Sequence, residues 1–131
     1  MANTLSTSLW KVTLRPGWEG ELGDDCATVC RPDGLGALQL SAYQKNNGAV
    51  THDELLDFAS ESVPAGTAAH PVQLGAFNGF FYRYVENATF WRRWFLCADQ
   101  TLLFVTYNCA EGVSGAEDEA VNLTLQSLEA L

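Results

Sequence analysis

Apolar and polar residues alternate along SLWKVTL at 8–14, where Trp10, Val12 and Leu14 oppose Leu9, Lys11 and Thr13. Successive side chains on a strand point to opposite faces, so this period of two predicts a half-buried strand, ended by Pro16-Gly17. A second strand is predicted at 25–31, DCATVCR, and a third at 37–44, ALQLSAYQ, with PDGLG turning the chain between them. The period then changes. In VTHDELLDFASESV, Leu55, Leu56, Ala59 and Val63 share one helical face, and Glu54, Asp57 and Glu61 point away. Thr51 followed three residues later by Glu54 is a capping-box signature, and Pro64-Ala65-Gly66 stops the helix.

From 71 to 109 the pattern predicts four consecutive strands, 71–77, 79–86, 89–98 and 101–109, broken at Asn78-Gly79, Asn87-Ala88 and Asp99-Gln100. A last helix is predicted to start at Ser114, which with Glu117 repeats the capping-box pattern. Its first turn holds Glu117, Asp118 and Glu119, favourable against the helix dipole. Val121, Thr124, Leu125, Leu128 and Leu131 share one face. Leu123 points nearly the opposite way and is a candidate for contact with a partner. Three strands, a helix, four strands and a helix predict an α+β fold. Its mostly antiparallel sheet, of about six to seven strands, is flanked by two main helices. The 131 residues suit one domain spanning 1–131.

FWRRWFL at 90–96 is the densest aromatic stretch. On a strand, Arg92 shares a face with Phe90, Trp94 and Leu96, and Arg93 shares the other with Trp91 and Phe95. Two such neighbours cannot form one phosphate clamp, and both faces are apolar, so the segment reads as central sheet. If Asn87-Ala88 is a two-residue hairpin turn, Arg83 lies opposite Arg92; a register longer by one sets it opposite Arg93. Facing like charges are unfavourable. A carboxylate, internal or belonging to a ligand, is therefore expected nearby. The sharper alternative is a small anion or acidic-peptide site built from Arg83, Arg92 or Arg93 with Tyr84 and Tyr107.

Composition narrows the function classes. Seven Lys and Arg against sixteen Asp and Glu give a net charge of −9. That charge repels polyanions and anionic membranes and favours a basic protein partner, so neither nucleic acid nor membrane is expected. The start MANTLSTSLW lacks a basic region and an apolar core of signal-peptide length, which gives a cytoplasmic expectation. Cys26 and Cys30 would lie roughly 13 Å apart on one strand face. Cys97 and Cys109 fall out of register on successive strands. Reduced thiols are expected, with no metal site, since no C-x2-C pair occurs. Only His52 and His70 could act as bases near neutral pH. No nucleophile elbow, zinc-binding helix or phosphate loop is present, so neither catalytic residues nor a cofactor are expected.

LRPGW at 14–18, GALQLSAY at 36–43, VTHDELLDFA at 50–59, the G-x-F-x-G of 75–79, WRRWFL at 91–96 and LFVTYNC at 103–109 recur in a familiar order, closed by a helix from about 114. In this the chain resembles small bacterial domains of the PsbP-like fold, also seen in the Ran-binding Mog protein and in Eag-type adaptors of type VI secretion effectors. The resemblance covers nearly the whole chain through structural turns and strands rather than catalytic residues. It implies an α/β/α sandwich and members that bind proteins. A cytoplasmic, non-enzymatic interaction module is therefore expected: an adaptor, a chaperone-like protein or a toxin-neutralising partner. An anionic-ligand binder at the Arg83/Arg92 region is the first alternative, and a hydrolase of unknown substrate the second.

Overall fold

Residues 3–131 of the computed structural model are described below. In chain order they form β1 (Asn3–Ser6), β2 (Trp10–Leu14), β3 (Glu19–Leu22), β4 (Ala27–Cys30), β5 (Gly36–Gln44) and α1 (His52–Ser60). Then follow β6 (His70–Leu74), β7 (Phe77–Glu86), β8 (Thr89–Ala98), β9 (Thr101–Ala110), a short 3-10 turn, α2 (Asp118–Gln126) and β10 (Glu129–Ala130). A seven-stranded antiparallel sheet runs β3-β4-β5-β9-β8-β7-β6, and a three-stranded sheet runs β1-β2-β10. The α+β architecture expected from the sequence is present: a largely antiparallel sheet with two helices.

The meander β7-β8-β9 is set by two tight turns. Asn87 and Ala88 both take left-handed backbone, φ 54° and 59°, which matches the right-handed twist of the flanking strands. Glu86 accordingly faces Thr89, and Arg83 faces Arg92, as the two-residue turn requires. Asp99, at φ 53°, makes the next turn and brings Ala98 opposite Thr101. β5 then pairs with β9 over its whole length, from Gly36↔Cys109 to Gln44↔Thr101.

Several boundaries differ from expectation. The predicted 8–14 strand shortens to β2 and leaves the main sheet for the small one. Its place is taken by β3, whose EGEL sequence is exposed throughout and carries little apolar signal; its hairpin partner β4 holds it. Asn78-Gly79 is not a turn. The β6–β7 turn is Gly75-Ala76, with Gly75 at φ 60° and no room for a β-carbon, which would lie 1.8 Å from the Leu128 carbonyl oxygen. Gly79 instead lies inside β7, where a β-carbon would meet the Phe95 carbonyl oxygen at 2.0 Å. A glycine required for close packing carries the same letter as a turn glycine.

The two layers covering the main sheet are unequal. On one side Trp10, Val12 and Leu14 of β2, together with Trp18, Val121, Leu125 and Leu128, pack on Leu38, Leu40, Trp94, Leu96, Leu103 and Val105. On the other, α1 alone sets Leu55 and Ala59 over Tyr82, Phe95 and Cys97. Phe58 completes that contact, 5.6 Å from Phe95 and 5.5 Å from Phe104 between ring centroids. The α1 stripe is therefore Leu55, Phe58 and Ala59. Leu56 is 39% exposed, and Val63 lies beyond the end of the helix. α2 also starts later than expected: Ser114 sits outside it, Glu117 at the N-cap makes no side-chain capping bond, and Leu131 is exposed past β10. A hydrogen bond from the Thr13 N–H to Ser127 Oγ, at 2.7 Å, ties the end of α2 to β2.

All four cysteines are free, Cys97 and Cys109 buried and Cys26 and Cys30 half-buried. Burial pushes the Cys97 thiol above its ordinary pKa. No helix among the described residues is long and apolar enough to cross a membrane.

The capping box of α1 forms as predicted. The Glu54 N–H donates to Thr51 Oγ1, and the Thr51 N–H donates to Glu54 Oε1. Lys45 Nζ donates to the same carboxylate at 2.7 Å and, with the Thr51 N–H, holds the Glu54 pKa below its ordinary 4.5. A carboxylate depressed in the folded state adds stability above its unfolded pKa and loses it as pH falls through the folded value. Glu54→Gln keeps a capping group but no charge. Its melting temperature is expected to lie below that of the parent near neutral pH, with the gap closing once the pH drops below 4.5; thermal melts across pH 3 to 7, roughly the carboxylate range, check this.

Candidate functional site

Directly paired residues on antiparallel strands share a face, so the register assigns each candidate side chain to a side. Arg83, Arg92 and Tyr107 form one cross-strand row on the α2 side. Tyr84 and Arg93 lie on the α1 side, and Leu123 sits on the outer surface of α2. The six residues do not converge on one site.

On the α2 side, Arg92 keeps only 8% of its side chain exposed. Its guanidinium donates to Asp118 Oδ1 at 3.2 Å and Asn122 Oδ1 at 2.7 Å, and lies 4.6 Å above the Trp94 ring. Asp118 and Asn122 are one helical turn apart on α2, so both reach the same strand. Burial draws the Arg92 pKa down, Asp118 opposes that shift, and the charge of Arg83 adds to it. The carboxylate demanded by the Arg83–Arg92 pairing is therefore internal.

Beside this pair, Tyr107 Oη donates to Glu117 Oε1 at 2.8 Å, which also accepts the Gly36 N–H at 3.0 Å. Glu117 Oε2 accepts the Leu35 N–H at 3.4 Å. Burial, and then the Glu117 carboxylate, push the Tyr107 phenol well above its ordinary pKa, so it remains a donor. A β-carbon on Gly36 would stand 2.8 Å from Tyr107 Oη and 2.3 Å from the Asn108 carbonyl oxygen. Glu117 thus turns inward instead of capping α2. Its spacing of four residues before buried Val121 is the one sequence signal of that role.

The α1 side is different. Two cross-strand rows lie beyond the footprint of α1: Ala37–Asn108–Trp91–Tyr84 and Thr28–Gln39–Thr106–Arg93, the second of which continues to Tyr82 beneath the helix. Of the eight residues in the open rows, Thr106 is buried and the other seven are half-buried, and Arg93 is the only charged residue among them. Arg93 Nε donates to Tyr84 Oη at 2.7 Å. Its guanidinium lies 4.5 Å over the Trp91 ring and 5.7 Å from the Phe104 ring. The ion pairs among the described residues are Arg31–Asp33, Lys45–Glu54 and Arg92–Asp118, and Arg93 enters none of them.

Leu123 is 37% exposed and lines a groove of about 250 Å³ with Arg15, Trp18, Arg31, Glu119 and Ala120. His52 Nε2 contacts Asn78 Oδ1 at 2.8 Å, and His70 packs 5.1 Å from the Phe81 ring. Among the described residues, no three His, Cys, Asp or Glu side chains are placed to hold a metal ion.

Fold and surface together define an antiparallel α+β sandwich with one incompletely covered sheet face. No family model and no curated protein matches the chain. A crystal structure from Bacteroides thetaiotaomicron VPI-5482, at 1.50 Å resolution, shares the fold with a TM-score of 0.66 and 16% identity. The match covers 93% of this chain but 45% of that one, so this chain spans less than half the length of its structural neighbour.

Two substitutions test the roles on the α2 side. Tyr107→Phe removes a donor from a buried carboxylate and is expected to cost about 1.5–3 kcal/mol in denaturant unfolding. Arg83→Glu replaces a like-charge neighbour of Arg92 with an opposite charge and is expected to stabilise by about 0.5–1 kcal/mol in the same assay.

Proposed function

We propose that this chain is a cytoplasmic, non-enzymatic protein-interaction module, of the adaptor, chaperone-like or toxin-neutralising kind. In this reading its partner docks on the open rows beside α1. The observation that carries it is the mismatch between a seven-stranded sheet and a nine-residue helix, which leaves aromatic and amide side chains of three interior strands, β5, β9 and β8, half-exposed. Aromatic residues and arginine are the types enriched where proteins bind one another. The two histidines engage an amide and phenyl rings, an arrangement that suits packing more than proton transfer. The sequence resemblance to PsbP-like domains, whose members include protein-binding adaptors, agrees with this role.

Charge adds a preference. Glu19 and Glu21 on β3 pair with Cys30 and Thr28, and Glu86 lies two residues beyond Tyr84, so acidic groups flank the open rows at both ends. With a net charge of −9, the chain favours a partner that is basic overall. Gln39→Arg places a long cation in the middle of the floor. A stoichiometric partner recovered from native-host extract with the parent protein is expected to fall by about tenfold or more with this variant. Equal recovery by both proteins, or no stoichiometric partner from the parent, would contradict the proposal.

A further inference from the structure

We infer that Arg93 is the anchor of this docking surface and that it receives a carboxylate side chain carried by the partner. This rests on the interaction-module reading above and names the chemistry of its contact.

The two adjacent arginines make the comparison. Arg92 is charged, buried and satisfied: Asp118 and Asn122 occupy its terminal nitrogens. Arg93 belongs to the same strand and is half-buried, yet its one side-chain hydrogen bond among the described residues runs from Nε to Tyr84 Oη. Among the described residues, both terminal nitrogens are left without a side-chain or backbone acceptor. A chain with sixteen acidic residues places none of them in an ion pair with this group. No buried side-chain nitrogen or oxygen among the described residues lacks a partner, so these two nitrogens face solvent, where an incoming carboxylate can reach them.

The surroundings also fix the group before anything binds. Trp91 lies beneath the guanidinium plane, Phe104 flanks it, and Tyr84 holds its inner edge. A stacked, tethered arginine has little rotamer freedom left to lose on binding. Its remaining fork of N–H groups matches the two oxygens of a carboxylate side by side. The acidic residues flanking the rows oppose a dianionic phosphate more strongly than a single carboxylate embedded in a basic surface. Long-range attraction would then come from the basic surroundings of the partner, and register from the one carboxylate that meets Arg93.

The probes are acetyl-Lys-Glu-Lys-amide, acetyl-Lys-Gln-Lys-amide and inorganic phosphate, titrated into the full chain by NMR. The readouts are the Trp91 indole N–H and the Arg93 Nε–H. Trp10, Trp18 and Trp94 are buried, so Trp91 is the tryptophan that senses a surface ligand. The glutamate peptide is expected to bind about tenfold more tightly than the glutamine peptide. That preference should vanish in Arg93→Gln and largely vanish in Arg93→Lys, which keeps the charge but not the fork. Circular dichroism melts of both variants establish that they are folded.

Equal binding of the two peptides, a preference that survives Arg93→Gln, a stronger response to phosphate than to the glutamate peptide, or no response to any probe would each overturn the assignment. The native partner separates this failure from failure of the module reading. Binding lost in Gln39→Arg but kept in Arg93→Gln leaves the docking surface standing without its anchor. Binding unaffected by either removes the surface itself.

Discussion

The structure depends on strand β8 having apolar residues on both of its faces. Trp94 and Leu96 project to one side, Phe95 and Cys97 to the other, and all four are buried. A strand of this kind is stable only with cover on both sides, so the sheet must be the middle of three layers. The chain supplies that cover unevenly. One side receives α2, the small sheet and Trp18, which close a continuous core from Val29 on β4 to Phe77 on β7. The other receives nine helical residues, which reach Phe95 and Cys97 but leave Trp91 and Arg93 half-exposed. What is open on this protein follows from what α1 is too short to cover.

The polar groups under α2 answer a different need. An apolar helix face on an apolar sheet face specifies contact more than position. Glu117 reaches across to Tyr107 and the backbone at Gly36, while Asp118 and Asn122 hold Arg92. Glu117 just before α2, and Asp118 and Asn122 one turn apart within it, thereby fix the N-terminal end of α2 over β5, β8 and β9. Ser127 fixes the other end on β2. Such buried polar contacts add little net free energy over an apolar equivalent, and removing one partner is what costs. Their effect here is to fix where the helix lies, which also sets the position of Leu123 beside Arg15 and Arg31.

Much of the fold was legible where local chemistry decides it. The α1 capping box rests on two residues three apart and was readable; the break at Asn87-Ala88 was readable too, and left two registers for Arg83, of which the structure has the pairing with Arg92. The elements missed are those that neighbours impose. β3 has almost no apolar signal and exists because β4 offers an edge. β10 is two exposed residues held by β2. Glu117 reads as part of a capping box and an acidic first turn, and the approach of Tyr107 and the Gly36 N–H makes it a buried acceptor. The candidate site divides the same way. Opposite faces for Arg92 and Arg93 follow from strand geometry alone. Which of the two would find a carboxylate depended on where α2 came to rest.

That division bears on how a partner could engage this protein. A sheet offers a partner its edges or its faces. Both edges of the main sheet are discouraged: β6 carries Pro71, which lacks the N–H needed to extend a ladder, and β3 carries Glu19 and Glu21. The α2 face is covered over β5, β9 and β8, where Leu38, Leu40, Trp94, Leu96, Leu103 and Val105 are buried. The rows beside α1 remain, and their composition differs from an ordinary solvent-facing sheet, which would carry charged residues of both signs. Here a tryptophan, a tyrosine and several amides and hydroxyls surround one stacked arginine. Exposed aromatic area in that pattern disfavours the free protein in water and favours any complex that covers it. In the proposed reading, a partner supplies from outside the missing half of the α1 layer.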